Sequence, residues 1–249
     1  MLDNIRIVLI ETSHSGNIGS AARAMKTMGL SELYLVSPKQ GIDEQAIALS
    51  AGAGDVVKNA VVVERFEQAV GDCSLLIGTS ARLRHLQNSL IEPRQCGEIT
   101  MQAAKCGEKV AIIFGRERVG LTNDELLKCR YHLTIPANPD YSSLNLAMAV
   151  QLVCYELRMA FLSQTAQEMP VVAIENTVKN TALLATAQQL EYFFEHTERL
   201  YQSLGFIQNQ GVMQKLRRLY QRAAVEQNEL NILRGMLTAV EKHLDFHKE

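Results

Sequence analysis

The chain has 249 residues, 47% of them apolar and 21% charged, with a formal net charge of −2. This is the composition of a globular protein with one large domain, or a medium domain and a small companion. It excludes a broadly basic nucleic-acid coat, so any contact with nucleic acid must come from local patches. The five cysteines (Cys73, Cys96, Cys106, Cys129, Cys154) are odd in number and lack a C-x-x-C pair. They fit the reduced thiols of a cytoplasmic protein and offer no zinc site.

In chain order, residues 5–10 (IRIVLI) read as a first strand rather than a signal peptide, since Asp3 precedes a short apolar run without a small-residue cleavage site. Further strands are expected at 32–36, 60–64, 74–79, 109–114 and 131–135, with helical runs between them, clearest at 18–28 and 144–163. TNDE (122–125) is a capping-box pattern that opens a short helix. This alternation predicts an α/β fold, a parallel sheet with helices on both faces. The apolar stretch 146–162 carries Gln151, Glu156 and Arg158, which favours a buried helix over a membrane span. After Leu162 the pattern weakens into a linker. From about 182 onward three helical runs (185–205, 212–226, 228–244) form a small appendage, with Gly205 as an expected C-cap and Asn228 as an expected N-cap.

Polar chemistry gathers where strands hand over to helices, the edge at which open α/β sheets bind ligands. SGNIGSAAR (15–23) places glycines where backbone N–H groups can face an anion; Asn17 is a candidate N-cap and Arg23 need not share its face. Thr79-Ser80-Ala81 closes a strand and leads to Arg82 and Arg84, whose forked guanidinium groups suit phosphates or simply solvent. In FGRERVGL (114–121) Glu117 sits between two arginines, either as a surface ion pair or as an acid held ionised in a polar cradle. The proline-bearing loop 136–145 runs into the apolar helix, with Ser143 as its expected cap beside Asn145. In the appendage, residues 212–223 carry Lys215, Arg217, Arg218 and Arg222 with Tyr220 and no acid, a footprint for phosphates or a solvated helix face. There is no G-x-G-x-x-G and no P-loop, which argues against a nucleotide-dependent oxidoreductase or kinase.

Taken together, NIGSAAR (17–23), FGRERVGL (114–121) and SLN (143–145) resemble the three motifs of the SPOUT superfamily of RNA methyltransferases, in particular its TrmH-like ribose 2′-O-methyltransferase branch. The segments 11–29 and 138–151, with the helical C-terminal extension, resemble most closely that branch's bacterial tRNA (cytidine/uridine-2′-O-)-methyltransferases. The likeness covers about residues 4–162 and extends into 215–223 and 229–235.

The resemblance implies a C-terminal trefoil knot in the α/β domain, which no periodicity argument yields. It implies S-adenosylmethionine bound against Thr79, Ser80, Ala81, Gly115, Ile135, Ser142, Ser143 and Leu144. It implies a homodimer in which Arg23 of one subunit completes the other's site, and a tRNA substrate methylated on a pyrimidine ribose at position 32 of the anticodon loop. Arg23, Asn17, Glu117, Ser143 and Asn145 are the implied catalytic set, with Asn17 and Glu117 orienting Arg23; no metal and no membrane are required. The expected division is a methyltransferase domain at 1–163, a linker at 164–181 and a helical RNA-binding extension at 182–249. Another RNA target, such as ribosomal RNA, and a non-catalytic RNA-binding protein on the same fold stand as alternatives.

Overall fold

The structure is a computed structural model that describes residues 1–80, 89–167 and 183–246. Seven strands run parallel in one sheet: β1 (Ile5–Ile10), β2 (Glu32–Val36), β3 (Val61–Val63), β4 (Leu75–Thr79), β5 (Ser89–Ile91), β6 (Val110–Phe114) and β7 (Tyr131–Leu133). Their order across the sheet is β3-β2-β1-β6-β4-β7-β5. Six match the expected strands. The short edge strand β5, only three residues and half exposed at Leu90, has too little pattern to be read from sequence.

The central strands β1, β4 and β6 are buried on both faces because both are covered. Ile5, Ile7 and Leu9 enter one core while Val8 and Ile10 enter another, and Val110, Ile112 and Phe114 alternate likewise with Ala111 and Ile113. The first core lies under α1 (Ser15–Thr27), α2 (Glu44–Ser50), α3 (Gly54–Lys58), α5 (Pro93–Lys105) and α7 (Leu146–Gln167). The second lies under α4 (Phe66–Val70) and α6 (Asn123–Leu127). Helix α1 begins at Ser15, three residues before the expected start, with His14 as cap; Asn17 therefore lies inside the first turn and does not cap the helix. A Cβ on Gly19 would sit 2.0 Å from the Ala46 carbonyl oxygen, so α1 and α2 approach at backbone distance there.

Helix α7 is long and apolar enough to cross a membrane by length and composition alone. Its inner face, Val150, Val153, Cys154 and Leu157, is core. Its other face exposes Met148, Leu152, Tyr155, Met159 and Leu162, a stripe at helical spacing. The helix continues to Gln167, into the segment expected as linker; the rest of that segment lies outside the described residues.

The C-terminal helices α8 (Ala187–Ser203), α9 (Gln210–Ala223) and α10 (Gln227–Phe246) build a core of their own around Phe193, Phe194, Leu200, Leu230 and Leu237. Gly205 lies one residue beyond the α8 cap at φ +73, and Asn228 lies inside α10 rather than capping it. The Ala187 N–H donates to the Cys73 carbonyl at 2.8 Å and Gln221 Nε2 to the Lys128 carbonyl at 3.1 Å, docking the appendage beside α4 and α6.

Candidate functional site

A cavity of about 220 Å³ opens at the carboxyl ends of β4, β6 and β7. Thr79 and Ser80 supply one wall, Gly115 and Glu117 a second, and Ile135, Ser142, Ser143 and Leu144 a third. Seven of the eight residues implied for cofactor binding thus line one space; the eighth, Ala81, lies outside the described residues.

The glycine-framed loop is shaped by close backbone contact. A Cβ on Gly115 would stand 2.2 Å from the Gly120 carbonyl carbon and 2.3 Å from the Leu121 nitrogen. Only glycine lets the chain fold back so that Arg116 and Gly120 exchange backbone hydrogen bonds, 3.3 and 2.8 Å. Gly120 completes the turn at φ +69.

Three distant segments meet through side chains. Both Glu117 carboxylate oxygens accept from the Ser13 N–H at 3.1 Å, and Oε1 also accepts from Asn17 Nδ2 at 3.1 Å. Asn17 Oδ1 accepts from Asn145 Nδ2 at 3.0 Å. Asn145 Oδ1 in turn accepts from the Ala147 N–H at 2.9 Å, which makes Asn145, not Ser143, the cap of α7. Ser143 is exposed and left to face the cavity. Burial alone would raise the Glu117 pKa, but hydrogen bonds from its own backbone, Asn17 and Ser13 outweigh that and hold it below the ordinary carboxylate value.

The arginines beside Glu117 do not pair with it. Arg116 reaches Glu11 Oε1 at 2.9 Å and both oxygens of Glu125 at 3.0 and 3.1 Å, while Lys39 pairs with Glu11 at 3.1 Å. Neither Glu11 nor Glu125 stood out in the sequence, although Glu125 is the fourth residue of the capping box. Ser13, which acts through its backbone, carries no sequence signal at all.

Arg23 is exposed on α1, and no described residue bonds its guanidinium; within one chain Asn17 and Glu117 bond each other and do not orient it. In the appendage, Lys215 and Arg222 are exposed and Arg218 is half-buried. Arg217 is bidentate to Glu191 at 2.6 and 2.7 Å and lies over the Phe194 ring, so its guanidinium is engaged inside the protein. Arg82 and Arg84 lie outside the described residues. Among the described residues no cluster of three or more His, Cys, Asp or Glu could hold a metal ion.

The model of the SpoU rRNA methylase family matches residues 4–155, and that of the C-terminal domain of the tRNA methyltransferase TrmJ matches residues 188–249. A Haemophilus influenzae protein described as a tRNA/rRNA methyltransferase is 69% identical over 249 residues, spanning 100% of this chain and 99% of its own. The tRNA (cytidine/uridine-2′-O-)-methyltransferase TrmJ of Sodalis glossinidius is 56% identical over 244 residues, 97% of this chain and 92% of its own. The crystal structure of TrmJ from Z. mobilis superposes with a TM-score of 0.80 at 30% identity, covering 95% of this chain and 98% of that one.

Proposed function

The chain belongs to the SpoU methylase family, and from that premise we propose that it methylates the ribose 2′-hydroxyl of cytidine or uridine at position 32 of a tRNA anticodon loop, with S-adenosylmethionine as donor. One observation carries the reading: a single cavity gathers Thr79, Ser80, Gly115, Ile135 and Ser142 to Leu144, and shares Glu117 with the Asn17–Asn145 chain. Its residues fit the cofactor. Leu133, Ile135 and Leu146 offer apolar surface to an adenine, hydroxyls on Thr79, Ser80, Ser142 and Ser143 suit its polar ends, and Gly115 lets the backbone come close.

When bound, S-adenosylmethionine supplies a methyl group on a cationic sulfur, which leaves readily. The protein's task is to align the hydroxyl and manage its proton. Arg23 is not assigned the role of base, since a guanidinium offers donors and no acceptor. Its role is to clamp a neighbouring phosphate and the developing alkoxide. Arg23 follows Asn17 by six residues, which sets it about 240° further round α1. The resemblance assigns Arg23 to the partner's site in a homodimer; the exposed apolar stripe of α7 supports such a subunit contact. Ser143 and Asn145 hold the nucleotide and the cofactor end. The exposed Lys215 and Arg222, with Arg218, meet tRNA phosphates, as do Arg82 and Arg84, whereas Arg217 braces the appendage.

The same reading divides the chain into a methyltransferase domain at 1–163, a linker at 164–181 and an RNA-binding extension at 182–249, and places it in the cytoplasm with its substrate. It takes the methyltransferase domain as trefoil-knotted. In support, β6 and β7 are each inserted between strands laid down earlier in the chain.

Nucleotide-resolution mapping of 2′-O-methyl groups, in RNA from cells with and without the gene, tests the proposal. Loss of methylation at tRNA position 32 supports it. Loss only at position 34 or in ribosomal RNA moves the target, and no loss anywhere refutes the activity.

A further inference from the structure

We propose that Arg116 is a positioning residue that fixes the cofactor-side loop 115–121 and so aims Glu117, without itself contacting RNA; this rests on the methyltransferase reading above. All five of its guanidinium N–H groups have acceptors inside the protein. Nε and Nη2 donate to Glu11 Oε1, Nη2 also to Glu125 Oε1, and Nη1 to Glu125 Oε2 and to the Gly120 carbonyl. None remains for a phosphate, in contrast to Arg23 on the surface of α1.

The partners it joins are the parts that must hold still. Glu11 directly follows β1 at φ +45, a left-handed conformation that a glutamate adopts only when its surroundings impose it. Its N–H is tied to the Val36 carbonyl at 2.8 Å and its carboxylate to Arg116 and Lys39. Glu125 lies in the first turn of α6, where its carboxylate also accepts from the Thr122 N–H at 2.7 Å. The Arg116 and Glu125 side chains are 20% and 14% exposed, so the fork is shielded from solvent. Arg116 thus ties one turn of loop to the end of β1 and to α6, and the next residue, Glu117, is presented to Ser13 and Asn17. A lysine could not replace it: one ammonium cannot span two carboxylates and a carbonyl.

The test uses the full-length enzyme with Arg116→Lys and Glu125→Gln, the latter keeping the side-chain oxygen that caps α6. A cooperative thermal melt, even at a lowered midpoint, certifies folding. The expected result is a drop of about tenfold or more in single-turnover methylation and weaker S-adenosylhomocysteine binding, with the KM for tRNA unchanged, since no RNA contact is lost. Hydrogen exchange at the Gly120 N–H is also expected to quicken in both variants. Should Arg116→Lys fail to fold, Glu125→Gln carries the test alone. Wild-type rates, cofactor affinity and exchange in the folded variants overturn the inference. A wild-type enzyme that methylates nothing sinks the methyltransferase reading instead, and the exchange measurement still decides the loop.

Discussion

Asn145 Nδ2 donates to Asn17 Oδ1 at 3.0 Å, although 128 residues separate them in sequence. The direction of this bond is set by its neighbours. Asn145 Oδ1 must face the Ala147 and Met148 N–H groups at the start of α7, which turns its amide nitrogen to Asn17. Asn17 must then present its oxygen to Asn145 and its nitrogen to Glu117, and Glu117, as acceptor only, is ionised. A helix N-terminus thereby fixes the orientation of a carboxylate two side chains away.

This polarity separates two substitutions at one position. Asn145→Ala removes the helix cap as well as the link, so the protein loses about 1 kcal/mol of stability along with activity. Asn145→Asp keeps the cap and suits the positive end of α7, so stability holds. It sets oxygen against oxygen at Asn17, and the single-turnover rate drops about tenfold or more. Thermal melts and rate measurements on the two variants check this. An Asn145→Asp enzyme as fast as wild type removes the amide chain from catalysis.

Gly115→Ala places a methyl group against three backbone atoms of the returning loop, none of which can swing aside as a side chain would. The loop must open, at a cost of about 1–3 kcal/mol, and the cavity loses its second wall. Calorimetry with S-adenosylhomocysteine is expected to show weakened binding. Unchanged affinity means that this loop does not shape the cofactor site.

The carboxylates give the site an acid limit. Hydrogen bonds from Arg116 and Lys39 lower the Glu11 pKa, and Glu117 is lowered by the balance described above. A group whose folded pKa is depressed adds stability that is complete above its unfolded value and is lost as pH falls through the folded one. The stabilisation is therefore complete above about pH 5 and fades below about pH 4. Glu117→Gln cannot contribute it at any pH. The gap in unfolding midpoint between wild type and Glu117→Gln should be widest near neutrality and shrink in acid. A gap that stays constant with pH assigns the difference to packing.

The frame of this molecule was legible because buried parallel strands are continuous apolar runs and handovers at their ends are rich in glycine and polar residues. The cavity residues were legible through family resemblance, not through local chemistry. Illegible were the roles that depend on partners. Asn17 looks like a cap until α1 is seen to start at Ser15, and Ser143 looks like a cap until Asn145 is seen to take the α7 N–H groups. Arg116 and Arg217 read as surface charges in a sequence, yet each faces acids that lie 105 and 26 residues away at their farthest. Side-chain pairing across such separations leaves no periodicity to detect.

The exposed side chain of Arg23 leads to a last expectation, on subunit sharing. On the proposed role of Arg23 as a clamp on the RNA, Arg23→Ala should abolish methyl transfer while leaving S-adenosylhomocysteine binding intact. If it acts in the partner's site, mixing it with Gly115→Ala restores activity, at a cofactor concentration that fills the wild-type pocket and leaves the weakened Gly115→Ala pocket empty. A mixed dimer then holds one site with both parts intact and one with neither. With half of the dimers mixed, about a quarter of wild-type activity returns. Two inactive variants that stay inactive after subunit exchange would place Arg23 in its own protomer's site. Subunit exchange itself is read by native mass spectrometry, so that failure to mix is not mistaken for failure to complement.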